Sequence, residues 1–344
     1  MVIEKCVILS GVLRVKKNIY IFKDGQIKRK DNTVYFETEE GKRFLPIEDI
    51  NDIFVFGELD FNKRFLELIS QKEITIHFFN YYGYYVGTYY PREHFNSGYM
   101  VLKQSEHYLD KDKRLIIARA LVLGSGKNIL NVLRYYSNRG KDVKDIFEEV
   151  ESLINKVNDC CELSELMGIE GNIRDYYYKG FDKIIENEDF VFDTRSRQPP
   201  KNELNALISF GNSLLYVLVL SEIYKTHLDP RIGYLHATNF RRFTLNLDIA
   251  EIFKPIIIDR LIFTLIGKNM ITKNDFEKDL GGILLKEKGR KTFVQEFDNR
   301  LKATIKHRKL GRNVSYRRLI RMELYKLEKH IMGEKEYEPY ISRW

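Results

Sequence analysis

At 344 residues, with 44% hydrophobic and 31% charged side chains, the chain is long enough for two globular domains and too rich in apolar residues for a disordered protein. Its formal net charge of +8 favours anionic partners, and its three cysteines indicate neither a disulfide framework nor a chelating zinc motif. No uncharged stretch reaches the roughly 20 residues of a membrane span, and no signal-peptide pattern opens the chain, so we expect a soluble cytoplasmic protein without membrane contact.

A small β domain is predicted over residues 1–90. Runs of β-branched and aromatic residues predict strands at residues 18–22, 34–37 and 53–56 and within 74–90. Turn-forming pairs such as Asp24-Gly25 separate them, and a helix is predicted at residues 61–70. Strands at this spacing favour a sandwich or roll. We interpret the aromatic run at residues 78–90 as sheet packing or a subunit interface rather than a base-stacking platform.

Helical periodicity replaces the strand pattern after Pro91. We interpret residues 91–100 as a linker and residues 101–344 as a larger all-α domain. Apolar side chains recur with the helical period, for example at Leu115, Ala118, Leu121 and Val122. Later helices are predicted at residues 244–266, kinked or divided by Pro255, at 292–306, and at 315–332, with Ser315 as N-cap. The predicted fold class is α+β, predominantly α, with an N-terminal β domain followed by a larger all-α domain.

The helix predicted at residues 244–266 carries the first candidates for chemistry. Asp248 and Glu251 lie three residues apart, so both carboxylates project from one face. Their neighbours are apolar, which predicts a largely buried helix, and a buried carboxylate needs a partner. A metal cation is one candidate partner. The alternative is an ion pair with Arg241, Arg242 or Arg260.

Two further residues offer ligands of a related kind. His236 precedes this helix and could add an imidazole nitrogen to a site made of oxygen, although a lone histidine is more often a structural hydrogen-bonding residue. Glu170 is flanked by Gly168 and Gly171 in a helical pattern, where each glycine costs about 1 kcal/mol relative to alanine. These glycines indicate either a close approach at a site or tight helix packing. One histidine with carboxylates suits Mn²⁺ or Mg²⁺ better than zinc.

Ordered motifs in residues 166–344 resemble one protein family. MGIEGNIRDYY is followed by NALISFGNSLLY at residues 205–216, then by LDPRIGYLH, LDIAE, VSYRRLIR and a closing ISRW. In this order the motifs resemble the CRISPR-associated integrase, the "Cas one" family. The β region is compatible with that family but carries weaker motifs.

The resemblance implies a metal-dependent DNA integrase and endonuclease, which inserts spacer DNA into a repeat array by attack of a 3′-hydroxyl on a phosphodiester. By their places in the motifs, Glu170, His236 and Glu251 would hold Mn²⁺ or Mg²⁺, with Asp248 as a neighbouring catalytic acid. Asn205 is expected to line the site. The implied partners are double-stranded DNA, a second copy of the chain paired through the β domain, and the small ferredoxin-like "Cas two" protein in a heterohexamer.

Nearly all of the excess positive charge lies near the carboxyl end. Residues 301–344 contain 12 Lys and Arg against 5 Glu, and residues 302–321 contain no acid. Such a block suits DNA, because phosphate contacts release condensed counterions, although a solvated helix face shows the same pattern. The candidates for contacts with the DNA backbone are Arg308, Arg312, Arg317, Arg318 and Arg321.

Two other functions remain open at this point. A repair nuclease that cleaves branched DNA would use the same ligands, and a DNA-binding scaffold subunit would keep the fold without turnover. The segment Gly124-Ser125-Gly126-Lys127 does not complete a phosphate-binding P-loop, because Leu121 replaces the first glycine and Asn128 replaces the Ser or Thr. No nucleotide energy source is therefore predicted.

Overall fold

The structure, a computed structural model, describes residues 16–91, 95, 97–197, 199–238, 243–279, 281–307 and 310–343. The chain divides into two compact units. The first comprises Met1–Tyr81 with Val86–Arg92, and the second comprises Tyr82–Tyr85 with Glu93–Trp344.

The first unit contains two four-stranded sheets and a helix. Its elements are β1 (Lys17–Ile21), β2 (Gly25–Lys30), β3 (Thr33–Thr38), β4 (Gly41–Leu45), β5 (Ile50–Val55), β6 (Leu59–Phe61), α1 (Lys63–Gln71), β7 (Thr75–Phe79) and β8 (Tyr85–Tyr89). One sheet has the order β1-β5-β7-β8, with β1, β5 and β7 parallel. The other has the order β4-β3-β2-β6, in which β2, β3 and β4 form an antiparallel meander. This is the predicted N-terminal β domain.

Apolar side chains from both sheets and from α1 form the core of the first unit. Ile27, Val34, Ile53 and Phe65 are fully buried there. Aromatic rings also stack across the β1-β5-β7 sheet, where the ring of Phe56 lies 4.7 Å from that of Phe22 and 4.5 Å from that of Phe79. The amino-terminal part of the aromatic run thus packs within the sheet, as predicted.

The second unit is mainly helical. Its elements are α2 (Gly98–Leu109), α3 (Lys111–Ser137), α4 (Lys144–Asn155), α5 (Leu163–Ile185), α6 (Glu203–Ile223), α7 (Leu245–Lys254), α8 (Arg260–Gly267), β9 (Phe276–Asp279), β10 (Gly282–Leu285), α9 (Glu287–Lys302), β11 (Thr304–His307), β12 (Arg312–Ser315) and α10 (Tyr316–Ile331). The predicted fold class is confirmed, and so is the N-cap, since the Ser315 side chain accepts a hydrogen bond from the Arg318 N–H.

Two short hairpins within the helical unit were not predicted. Strands β9 and β10 pair with each other, as do β11 and β12. The helix predicted at residues 292–306 is correspondingly shifted: α9 begins at Glu287 and ends at Lys302, and β11 follows at Thr304. The described part of the region predicted as all-α therefore contains four strands of four residues each, too short to give a clear alternating pattern.

Pro255 divides the long helix as predicted. The residues after Lys254 form a π-helical segment, Pro255–Asp259, before α8 resumes the regular helix. Proline has no N–H to donate and its ring displaces the preceding turn, so the regular hydrogen-bond pattern is interrupted here. This segment places Asp259, which is 1% exposed, in the protein interior.

Two helices are long and apolar enough to cross a membrane by composition. They are α3 and α6, but most of the apolar stretch is buried within the protein in each case, 67% in α3 and 83% in α6. The core helices of soluble proteins have the same character, so these helices are weak indicators of a membrane span.

Residues 333–343, here called the C-terminal strap, bind across the helical core. Glu323 on α10 is fully buried and accepts hydrogen bonds from the Tyr337 hydroxyl at 2.6 Å and the Tyr340 N–H at 3.1 Å. The ring of Tyr340 stacks on Phe253 of α7 with a centroid separation of 5.9 Å. The strap therefore joins α10 to the helix that carries Asp248 and Glu251.

Asn128 on α3 hydrogen-bonds both to the C-terminal strap and to α7. Its amide donates to the Ile252 carbonyl at 2.9 Å and to the Tyr340 carbonyl at 3.0 Å. Its side-chain oxygen accepts from the N–H and the hydroxyl of Ser342, at 2.7 and 2.9 Å. Because Asn128 and Ser342 are fully buried, loss of these bonds would leave polar groups without water.

We predict that Asn128→Ala lowers the free energy of unfolding by about 3 kcal/mol, since it removes four buried hydrogen bonds. Urea denaturation followed by circular dichroism measures this loss. Asn155→Ala, at the exposed end of α4, is the matched control and should change stability by less than about 0.5 kcal/mol. Equal effects of the two substitutions would contradict the role given to Asn128.

Candidate active site

Three segments of the second unit bring the four predicted acidic and histidine residues together. Glu170 lies on α5, His236 in the connection between α6 and α7, and Asp248 and Glu251 on α7. Glu170 is within electrostatic reach of both His236 and Glu251. Residues that are up to 81 positions apart in the sequence thus lie within electrostatic reach of one another, and their assignment to one site stays a prediction.

Asp248 holds the turn that carries His236. Its carboxylate, which is fully buried, accepts hydrogen bonds from the backbone N–H groups of Tyr234, Leu235 and His236. The Oδ1 atom also lies 2.7 Å from Nδ1 of His236. A proton on Nδ1 satisfies this contact and leaves the lone pair on Nε2, the arrangement in which a carboxylate orients a ligating histidine.

Burial opposes a charge on the imidazole, but the hydrogen bond with Asp248 and the nearby carboxylates of Glu251 and Glu170 outweigh it. The pKa of His236 is therefore raised above its ordinary value. The carboxylates near this ring therefore favour a positive charge on it.

Gly233 permits the close wrapping of this turn. A Cβ atom at this position would lie 2.8 Å from Oδ2 of Asp248 and equally close to the backbone of Thr244. The Gly233 N–H donates to the Thr244 hydroxyl at 2.9 Å. Residue 233 was not among the predicted site residues, although its position inside LDPRIGYLH offered the signal.

Glu251 is paired with two basic side chains. Its Oε2 atom lies 2.6 Å from Nη2 of Arg174, which is one helical turn after Glu170 on α5. Its Oε1 atom accepts a hydrogen bond from Lys254, one turn further along α7. The three side chains are 6%, 11% and 8% exposed respectively, so the pairs are shielded from solvent.

Glu251 thus forms ion pairs of the kind considered as the alternative, and its partners among the described residues are Arg174 and Lys254. Arg260 stacks over the ring of Tyr135 at 4.7 Å, and Arg241 and Arg242 lie outside the described residues. Arg174 could not be identified from local spacing because it lies on another helix. Lys254 could have been, since it stands three residues after Glu251.

Burial opposes the charge on Glu251, yet Lys254 and Arg174 lower its pKa to about 2. Burial raises the pKa of Glu170, and the neighbouring charge of Glu251 raises it further. The pKa values of the two carboxylates are therefore shifted in opposite directions, downward for Glu251 and upward for Glu170.

The glycines beside Glu170 do not serve tight packing. A Cβ atom at Gly168 or Gly171 would meet no other group within 4 Å. Of the two readings of these glycines, tight helix packing is therefore wrong, and close approach at a site stays a prediction.

The donor set fits a hard divalent cation by its chemistry, since it offers two carboxylates and an imidazole oriented by a third carboxylate. Its present arrangement does not, because no group of three such side chains among the described residues could hold a metal ion. In this arrangement Glu251 is paired with Arg174 and Lys254. The ligand assignment of Glu170, His236 and Glu251 stays a prediction.

Asn205 supports a neighbouring loop. It is fully buried, its amide donates to the Thr194 carbonyl at 2.7 Å, and its oxygen accepts from Arg195 Nη1 at 2.9 Å. Arg195 in turn interacts electrostatically with Tyr178 and Tyr216, the aromatic neighbours of Arg174 and Lys254. Asn205 thus reaches the site through Arg195.

The five basic residues predicted to contact DNA fall into different environments. Arg317 and Arg321 are largely buried and pair with Glu222 of α6, which is fully buried, at 2.6 Å each. Their predicted contact with the DNA backbone stays a prediction. Arg312 and Arg318 are exposed, and Arg308 lies outside the described residues.

The sequence was compared with known protein families and structures. The model of the CRISPR-associated protein Cas1 family matches residues 19–299. The CRISPR-associated endonuclease Cas1 2 of Thermodesulfovibrio yellowstonii is 59% identical over 330 residues, which cover 96% of this chain and 100% of that protein.

Two solved structures are similar over nearly the whole chain. TM1797, a Cas1 protein from Thermotoga maritima, is 49% identical with a TM-score of 0.85, covering 94% of this chain and 99% of that one. A casposase bound to integration product is 21% identical with a TM-score of 0.84, covering 95% of this chain and 96% of that one. At that identity the second likeness concerns the fold alone.

We predict that Arg317→Ala lowers the free energy of unfolding by about 3 kcal/mol, because it leaves buried Glu222 with one fewer counterion. The adjacent Arg318→Ala is the matched control, and we expect a change below about 0.5 kcal/mol because that side chain is exposed. Urea denaturation of the two variants provides the comparison. If Arg317→Ala leaves the free energy of unfolding unchanged, Arg317 would again be a candidate for DNA contact.

Proposed function

The chain belongs to the CRISPR-associated Cas1 family, and from that premise we propose that it is a metal-dependent DNA integrase and endonuclease of CRISPR adaptation. In this proposal it inserts spacer DNA into the repeat array, with a DNA 3′-hydroxyl attacking a phosphodiester. The observation that carries the proposal is the assembly of Glu170, His236, Asp248 and Glu251 from three separate segments. The endonuclease name of the relative and the fold shared with a casposase support the reaction class.

Glu170, His236 and Glu251 would hold Mn²⁺ or Mg²⁺, with Nε2 as the nitrogen donor. When bound, the cation would polarise the scissile phosphate and neutralise charge that develops in the displacement. Carboxylate oxygens suit both ions, and a single imidazole is compatible with either.

The protein's own side chains would prepare this site. Asp248 would fix the imidazole of His236 in one tautomer and orientation through the contact at Nδ1. Arg174 would keep Glu251 aligned through its contact with Oε2. The open space beside Gly168 and Gly171 would admit the DNA backbone near Glu170.

The hairpin β11–β12 and the start of α10 would hold the DNA backbone. Exposed Arg312 and Arg318 are the contacts we propose among the described residues, together with Arg308 from the predicted set. Such contacts would position the duplex without reading its sequence. Arg317 and Arg321 would act indirectly, because their pairs with Glu222 fix α10 against α6.

The proposed partners follow from the family. They are double-stranded DNA, a second copy of this chain joined through the first unit, and the Cas2 protein in a heterohexamer. The prokaryotic relative supports action in the cytoplasm, where the repeat array lies.

We predict that Glu170→Gln, His236→Ala and Glu251→Gln each lower strand transfer by about a hundredfold or more, because each removes a proposed ligand. Duplex affinity should change little. The two glutamates are replaced by glutamine because alanine at position 251 would leave Arg174 and Lys254 buried without a partner.

The measurement is the joining of a labelled DNA fragment to a repeat-containing duplex in Mn²⁺, with branch cleavage assayed in the same samples. Glu165→Gln, on the exposed part of α5, is the control and should keep the wild-type rate. A variant of the triad that retains that rate would remove its residue from the ligand set. Cleavage of branched DNA without joining would favour a repair nuclease instead.

We predict that replacing Arg312 and Arg318 together by alanine weakens duplex binding and reduces the slope of log Kd against log salt by roughly 2, one unit for each lost phosphate contact. Fluorescence anisotropy over a range of salt concentrations measures the slope. Lys144→Ala with Lys156→Ala removes the same charge from an exposed part of α4 and serves as control. If the slope of log Kd against log salt is the same in the two double variants, the change in net charge alone would explain the weaker binding.

A further inference from the structure

Glu251 has both carboxylate oxygens bound to cationic side chains of the protein itself. Arg174 contacts Oε2 and Lys254 contacts Oε1. Neither contact can exchange freely with water, because all three side chains are at least 89% buried. Any further cation that binds Glu251 must therefore share these oxygens with the two partners or displace one of them.

The two counterions are not equally held. Arg174 bridges two carboxylates, since its Nη1 atom lies 3.7 Å from Oδ2 of Asp259, and its guanidinium faces the ring of Tyr178 at 5.8 Å. The planar guanidinium suits this bridging role. Its loss would also remove the nearest cation from buried Asp259, whose pKa burial raises to about 7.

Lys254 has fewer constraints. Among the described residues its ion pair is with Glu251, and its Nζ atom also lies 4.8 Å from the ring centroid of Tyr216. The ammonium is a point charge on a flexible stem and can move from Oε1 while keeping the aromatic ring as a neighbour. Of the two partners of Glu251, Lys254 is the one that can move away while breaking fewer interactions.

We propose that Lys254 is the resident counterion of Glu251 and competes with a divalent cation for this carboxylate. It keeps the buried acid compensated in the metal-free protein and sets how tightly the site binds metal, while Arg174 remains and orients the carboxylate. This inference rests on the proposed metal site and adds a positioning residue that tunes it.

The chain supplies a matched control. Glu222 near the end of α6 and Lys225 in the turn after it have the same spacing as Glu251 and Lys254, and Glu222 is likewise buried and paired with arginines. Removing the lysine charge at position 225 therefore reproduces the local loss of a counterion beside a buried glutamate. Glu222 does not belong to the proposed metal site.

The test is the dissociation constant for Mn²⁺ in the absence of DNA, measured by titration of the free Mn²⁺ signal in electron paramagnetic resonance. We expect Lys254→Met to bind Mn²⁺ about tenfold or more tightly than the wild type, because the competing ammonium is gone. Lys225→Met should match the wild type. Lys254→Gln, whose neutral amide can still donate to Glu251, should behave like Lys254→Met and serves if the methionine variant does not fold.

Two results would overturn the inference and have different meanings. If the wild type binds Mn²⁺ and the neutral variants at position 254 bind equally or more weakly, Lys254 does not compete with the metal, although the metal site stands. If neither the wild type nor these variants bind Mn²⁺, the proposed metal dependence falls with it.

Discussion

The buried carboxylate of Glu251 is the constraint on which the helical unit depends. An ionised acid in a protein interior is stable only with counterions and hydrogen bonds, and here these come from two helices. Arg174 of α5 and Lys254 of α7 both pair with this carboxylate. Arg174 also forms an ion pair with Asp259 in the π-helical segment. The position of α5 relative to α7 is therefore coupled to charge compensation as well as to apolar packing.

A second buried acid, Asp248, orders the chain before α7 in a different way. It binds backbone N–H groups and the imidazole of His236 rather than a charged side chain of Lys or Arg. Two carboxylates three residues apart thus have different roles. Asp248 orders the turn that carries His236 and orients its imidazole, and Glu251 pairs with the positive charges of Arg174 and Lys254. Asn128 of α3 and the C-terminal strap support both carboxylates by holding α7. Asn128 donates to the Ile252 carbonyl, and Tyr340 of the strap stacks on Phe253.

Much of this could be predicted from the sequence, and the limits have physical causes. The strands predicted in the first unit, the division at Pro255 and the cap at Ser315 follow from local patterns, which act over a few residues. The grouping of Glu170, His236 and Glu251 came from the order of family motifs, since spacing alone left each residue ambiguous. The partner of Glu251 on α5 and the pairing of Arg317 and Arg321 with Glu222 depend on contacts between helices, so a basic run that looks solvent-exposed in sequence is partly buried.

The central claim is that Glu170, His236 and Glu251 converge on one divalent cation. Pulsed electron paramagnetic resonance of the Mn²⁺-loaded protein tests it most directly, by detecting nitrogen nuclei coupled to the metal. The account predicts one bound Mn²⁺ with coupling to a single imidazole nitrogen, which disappears in His236→Ala. Bound Mn²⁺ without nitrogen coupling, or coupling that survives in His236→Ala, would contradict it.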